Sequence, residues 1–418
     1  MSLHSQFVDI RYLEAEHHNP AHNTIFRLPS NIQAFPNLRL GNLGIHGATG
    51  NLSKTGITSL IKHIYLYSDR QLIDQSRYAN QWESFRQLTM SNSANKNIFR
   101  FLEKHQIGYQ IDSKEQVGAQ DTTNNSSIVN STEVNAQGGY LQLPMLLQIL
   151  QEPTFILDTN KFPNMTLVIE WETDKRKYLS SNADSDFKIG KPTLIYDEIT
   201  DPKIGQQASG AMKNFNWNCI EHDSIDVPTK NNDLPSTQTL NRKLKGFDNK
   251  LLNRIVVVKN FQDTAKSVTG ATVHGKGFYR SPVQYLEHIN FKINGRPIFD
   301  EPLTQEETRQ AITAQAWGKL NITPYESSLS VGLDSPQEYK HFIGISNDSN
   351  TSTGMASYCG CRIDNVVQDF ELEYKRSCPN DTSADLKRYS EALTLNVFGE
   401  TTKQMIFGKQ GQFLIRYA

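Results

Sequence analysis

The second half of this chain echoes the first. LIKHIYLYSDRQLID carries His63, Ile64 and Asp74, and YLEHINFKINGRPIFD carries His288, Ile289 and Asp300, so equivalent residues lie 225 or 226 positions apart. TLVIEWETDKRKYL begins at Thr166 and TLNVFGETTKQMIF at Thr394, 228 positions on, with Glu172/Glu400, Thr173/Thr401 and Lys175/Lys403 in step. Gly190-Lys191 leads into TLIYDE, and Gly408-Lys409 leads into QFLIRY. Three matches in one order at nearly one offset predict two related units in tandem, meeting near Thr200–Asn216. Two copies are too few for a stacked solenoid. A chain of 418 residues has room for two cores of ordinary size.

The units read as β. Leu167, Ile169 and Trp171 alternate with Thr166, Val168 and Glu170, and Leu393, Leu395 and Val397 alternate with Thr394 and Asn396. That period of two describes strands with one buried face. Leu60–Tyr67, Pro192–Tyr196, Arg254–Val258, Ile289–Ile293, Val366–Tyr374 and Phe413–Tyr417 are further strands. Between them lie turn-rich stretches at 112–139, 231–250 and 346–354, near low complexity in DTTNNSSIVNSTEVNAQGG. Helix is sparse. Thr304 and Glu307 form a capping box ahead of a helix over Gln305–Trp317, and Ser76–Thr89 and Asn97–Lys104 are weaker candidates. About eight strands per half, with hairpins and long connections, fit a jelly roll better than an immunoglobulin-like sandwich. The expected fold class is therefore all-β: two tandem eight-stranded jelly rolls with short helices in the loops. Residues 1–30 are polar and His-rich and read as an N-terminal arm, 31–205 as the first roll and 206–418 as the second.

No residue pattern names a reaction. In Gly47–Thr55 the positions a phosphate loop needs as glycine are Ala48 and Ser53, so the backbone cannot wrap a phosphate, and a surface turn is the better account. His17, His18 and His22 cluster beside Glu14 and Glu16, but Pro20 breaks the helical register that would align them. Cys359-Gly-Cys361 lacks the second cysteine pair or histidine pair of a zinc site, and Cys219 and Cys378 complete too small a set for a disulfide framework. Glu170 and Glu172 are expected on the outward face of a strand, as surface charges. Trp171 and Trp317 are expected in the core, against a sugar-stacking role shared with Trp82 and Trp217. Arg242-Lys243-Leu-Lys245 reads as a flexible basic loop and Asp174–Lys177 as a solvated strand end. A net charge of −1 gives no general attraction to nucleic acid or anionic membrane. The first twenty residues hold no apolar signal core, and the apolar runs are too short to span a bilayer, so the chain is expected to be soluble and made in the cytosol. The Asn-x-Ser/Thr triplets, such as that at Asn164, then follow from composition. No catalytic, cofactor-binding or metal-binding residue is assigned, and no enzyme activity is expected.

One family matches this order of pieces. FRLPSNIQAFPNLRLGNLG, GITSLIKHIYLYSDRQLID, YLQLPMLLQIL with TLVIEWE, and the closing LTLNVFGETTKQMIFGKQGQFLIRYA together resemble the double jelly-roll major capsid proteins of small eukaryotic DNA viruses, among them virophages and polinton-like viruses. The resemblance spans most of the chain, though each piece is degenerate. It implies a subunit of a homotrimeric, pseudo-hexagonal capsomer in an icosahedral shell. The implied partners are the chain itself, neighbouring capsomers, and penton and minor capsid proteins, with no specific nucleic acid; the virion is the implied location. The alternatives are a tandem β-sandwich carbohydrate-binding or attachment protein, a carbohydrate-active enzyme and a minor capsid protein.

Overall fold

A computed structural model describes residues 7–43, 45–46, 56–90, 139–174, 188–229, 236–262, 288–301, 312–313, 315–317, 358–378, 392–408 and 412–418. The main strands of the first unit are β1 (Val8–Glu14), β2 (Asn23–Arg27), β3 (Arg39–Leu43), β4 (Ile61–Ser68), β5 (Gln71–Arg77), β6 (Gly139–Gln142), β7 (Thr166–Trp171) and β8 (Thr193–Ile199). Those of the second are β9 (Phe215–Val227), β10 (Ser236–Lys243), β11 (Lys250–Phe261), β12 (His288–Ile293), β13 (Arg296–Pro297), β14 (Tyr358–Val367), β15 (Phe370–Cys378) and β16 (Leu393–Phe407), followed by β17 (Phe413–Tyr417).

Each unit folds into two facing antiparallel sheets. In the first, β1, β8, β3 and β6 line up in one sheet and β2, β7, β4 and β5 in the other. In the second, β9, β16, β11 and β14 line up in one, and β10, β15, β12 and β13 in the other. Every main strand of the first unit therefore has its counterpart eight strands later. Strands one, eight, three and six form one sheet and two, seven, four and five the other, which is the jelly-roll order in both units. Alternation builds the cores. Phe26, Ile64, Leu66, Leu167, Ile169 and Leu194 close the first, and Phe247, Ile255, Val257, Phe291, Leu372, Leu395 and Val397 the second.

The topology corrects the sequence comparison. Only the first of the three matches pairs counterparts: β4–β5 and β12–β13 are both two-residue hairpins in the same place. Their turns use left-handed backbone, at Asp69 in one and at Asn294-Gly295 in the other. Thr166 opens β7, whose counterpart is β15, whereas Thr394 is the second residue of β16, the counterpart of β8. QFLIRY is β17, an added strand with no counterpart in the first unit. Half-buried strands share one alternating pattern, so a match between two of them carries little positional information.

Four other expectations change. Residues 8–14 and 23–27, read as part of an arm, are β1 and β2, and Phe26 is fully buried. Val366–Tyr374 is a hairpin rather than one strand, turning at Gln368-Asp369 between β14 and β15. Arg242 and Lys243 end strand β10, where Lys243 meets Asp369 at 2.9 Å, so this is no flexible loop. The boundary expected at 205/206 falls inside helix α2 (Pro202–Ala211), with Asp201 accepting from the N–H groups of Lys203 and Ile204 and a proline in its first turn. Ser209 of α2 donates to Asp158 at 2.5 Å, which ties the helix to the first unit. The helix expected from Ser76 is α1, over Ala79–Met90. Of the helix expected over Gln305–Trp317, the described residues 312–313 and 315–317 are helical. The stretches 112–138 and 346–354 and the candidate at Asn97–Lys104 lie outside the described residues, as does the phosphate-loop segment Gly47–Thr55.

The Cys359-Gly-Cys361 motif has a packing explanation. Both thiols are buried in the second core. The Trp317 indole crosses the sheet at Gly360 and donates Nε1–H to the Ile255 carbonyl at 2.9 Å, while Gly360 N–H donates to Thr313 at 2.8 Å. A Cβ at Gly360 would stand 2.7 Å from the Ile255 carbonyl oxygen, so only glycine lets the indole lie there. Gly360→Ala should cost about 1–3 kcal/mol by overpacking, read as a lower urea midpoint; an unchanged midpoint would show that the indole moves aside freely.

Candidate functional site

The two units are joined by a buried seam, and this is where buried polar chemistry collects. Strands β9 and β16 have 13 and 15 residues. They are long enough for their inner face to overhang the end of the second core. There Trp217, Cys219 and Met405 join the first unit's core, with Phe407, Phe413 and Ile415 packed against it. Phe162 meets Phe413 edge-on at 4.9 Å. The outer face of the same sheet is covered as well. Ile220, Val256, Val258 and Phe398 pack beneath Trp82 and Phe85 of α1 and beside Trp317, with the Trp82 and Trp317 ring centroids 5.2 Å apart. Asn396, expected to face solvent, is 1% exposed for this reason and bonds His222 at 3.0 Å.

Charges are trapped at the seam. Asp74 on β5 is buried and accepts from the Ile149 N–H at 2.9 Å. Across from it, Lys403 lies 3.2 Å and Lys250 3.5 Å from Glu221. Gln75 of the first unit donates to Glu221 at 3.3 Å, and the Tyr417 hydroxyl donates to it at 2.7 Å. Lys250 also sits over the Tyr417 ring, 4.3 Å from its centroid. The last strand of the chain is thus clasped by two lysines and a carboxylate, and the carboxylate also reaches the first unit.

Burial sets the protonation states. It pushes the Asp74 carboxyl up to about 6, only partly offset by Lys403 and two backbone N–H groups. Burial opposes the Glu221 charge too, but Lys403, Lys250 and the Tyr417 hydrogen bond outweigh it and hold its pKa below the ordinary value. His222, stacked at 4.4 Å on Tyr78 of the first unit, is driven down to about 4 by desolvation, against its bond to Asn396.

The residues singled out in the sequence do not converge. His18 bonds Thr24 at 2.7 Å and the Ile189 carbonyl at 3.2 Å, while His17 and His22 are exposed. Among the described residues no group of three or more His, Cys, Asp or Glu side chains is placed to hold a metal ion. Trp171 and Trp317 are core residues, as expected, and Trp82 and Trp217 are buried at the seam. Glu172 is a correction. It keeps the outward parity of Glu170 but lies beneath α1, where it is 3% exposed and accepts from Asn80 at 3.1 Å. Nothing in the sequence marked Asp74, Glu221, His222 and Lys403 as one buried cluster, because the residues that cover them come from the other unit.

No protein-family profile matches this chain, and no curated protein is matched by sequence. Solved structures do match. A chain in the cryo-EM structure of the Sputnik virophage superposes with a TM-score of 0.60 at 9% identity, covering 99% of this chain and 88% of that one. The mavirus major capsid protein gives 0.53 at 11% identity, over 98% and 90%. The Faustovirus major capsid protein gives 0.56 at 8% identity, over 96% and 90%. The chain therefore has the double jelly-roll fold of these capsid proteins from end to end.

The seam predicts an unusual response to acid. His222 is buried neutral, with a folded pKa below its unfolded value. Its contribution is present above about pH 6.5 and is lost as pH falls toward about 4, to the extent of about 3 kcal/mol. Asp74 has a raised folded pKa, so its ionised form opposes folding above about pH 6. That cost, also about 3 kcal/mol, is relieved as pH falls toward its ordinary value. The two effects oppose each other between pH 6 and 4. Asp74→Asn keeps the acceptor for Ile149 and removes the compensating titration. Its urea midpoint should drop more steeply than that of the unaltered chain between pH 7 and 4.5; parallel profiles would mean that Asp74 is not the opposing group.

Proposed function

We propose that this chain is a major capsid protein, a structural subunit that self-assembles into a viral shell. The observation that carries the reading is the pairing of two equivalent jelly rolls by a buried seam, in a chain that superposes along its length on capsid proteins of virophages and a large DNA virus. A rigid two-lobed subunit suits a three-fold ring. Three such chains present six near-equivalent lobes, and a pseudo-hexagonal homotrimer tiles an icosahedral surface. Contacts between lobes of neighbouring chains would then be obligate interfaces, which bury more than about 2,000 Å². The virion is the location this reading assigns, and penton and minor capsid proteins are the partners at the shell's vertices and inner face. The chain's role is architectural, with surface complementarity in place of catalysis.

A tandem glycan-binding protein is the second reading. The seam speaks against it: Trp82, Trp171, Trp217 and Trp317 are all buried, so none is presented to a sugar. The two readings separate on native mass. Light scattering of the purified chain should give three subunits, and negative-stain images should show six-lobed particles. A two-lobed monomer that binds glycans would overturn the capsid reading.

A further inference from the structure

Among the described residues, strand β1 is an open sheet edge with unusual properties. Its partner among the described residues is β8, in seven consecutive pairs from Val8↔Ile199 to Glu14↔Thr193 without a bulge. It contains no proline, and no bulge twists it away, two of the devices that protect edge strands. Ile10 is 57% exposed and Tyr12 71%, and with Val8 they form an apolar stripe along one face. Asp9 and Arg11 alternate with them on the other face.

The ladder shows which backbone groups face outward. Thr200 N–H donates to the Phe7 carbonyl at 2.9 Å. In an antiparallel pair hydrogen-bonded positions alternate, so Phe7, Asp9, Arg11 and Leu13 bond inward to β8. Val8, Ile10, Tyr12 and Glu14 turn their N–H and C=O groups to the free edge.

We propose that this edge pairs antiparallel with the same strand of a second copy, across a two-fold axis at Ile10. Outward-pointing residues must face one another, and three registers meet that condition with an overlap of five residues or more. Centred on Arg11, the strands oppose Arg11 to Arg11 and Val8 to Glu14. Centred on Tyr12, they oppose Ile10 to Glu14. Centred on Ile10, they oppose Ile10 to Ile10, Val8 to Tyr12 twice, and Asp9 to Arg11 twice. Only this last register places every apolar side chain against an apolar one and every charge against its opposite. The contact is isologous, so each β1 is both donor and acceptor, and the two first-unit sheets become one continuous sheet. It rests on β1 alone and does not depend on the capsid reading; within that reading it is a joint between capsomers, since a three-fold ring contains no two-fold axis.

The test is site-specific cross-linking of the full chain. Residue 10 faces itself, at a Cα separation near 5.5 Å that a disulfide spans. Ile10→Cys should form covalent pairs under mild oxidation on a denaturing gel, whatever the native mass. Tyr12→Cys faces Val8 and should not, although a mixture of Tyr12→Cys and Val8→Cys should. Absence of the Ile10→Cys pair, or equal pairing by Tyr12→Cys alone, would overturn the register. A charge exchange gives an independent reading by light scattering. Asp9→Arg or Arg11→Asp alone should lose the doubled mass, because like charges then meet, and the equimolar mixture should regain it. Arg11 also bridges Glu198 at 2.5 Å and Asp9 at 3.2 Å within the chain, so circular dichroism first checks that each variant is folded; a folded mixture that stays undoubled counts against the proposal.

Discussion

The structure depends on a sheet that is buried on both faces. β9, β16 and β11 close the second core on one side and receive the first unit on the other. A jelly-roll sheet ordinarily leaves its outer face to water, and an alternating sequence suits that arrangement. Here Ile220, Val256, Val258 and Phe398 remove the alternation where α1 docks, and the long ends of β9 and β16 reach into the first core. The two rolls are therefore packed on one sheet, with α1 on its outer face and the first core at its far end.

The ion cluster adds specificity to that apolar contact. Burying Asp74, Glu221, Lys403 and Lys250 in apolar surroundings would be costly if any one lacked a partner. With all present, the charges balance and each unit supplies part of the arrangement, so a shifted docking would leave a charge alone. Tyr417 brings the final strand into the same cluster and fastens the C-terminal end of the fold to the seam. Protonation acts on the seam in opposite directions, relieving the buried Asp74 charge while opposing the buried neutral His222 and the paired Glu221.

The outward surfaces follow a different logic. Ile10 and Tyr12 are large apolar side chains left in water on a strand whose neighbours are well packed. On a monomer such an edge is an aggregation hazard. In the pairing proposed here, the same edge becomes a joint whose register is set by the order of its charges.

The sequence by itself determined the β character, the two-residue hairpin common to both halves, and the core faces of β7 and the inner part of β16. These are local properties, carried by period-two alternation and by turn residues such as Asn294-Gly295. The correspondence of strands was beyond its reach: one alternating strand looks like another, and two of three apparent matches joined strands that are not counterparts. Burial of Glu172, Asn396, Asp74 and Lys403 was also out of reach. A polar residue in a strand points to water or into a seam according to what packs above it, and that neighbour comes from the other end of the chain. Only the tertiary structure decided which polar residues became the seam and which edge stayed open.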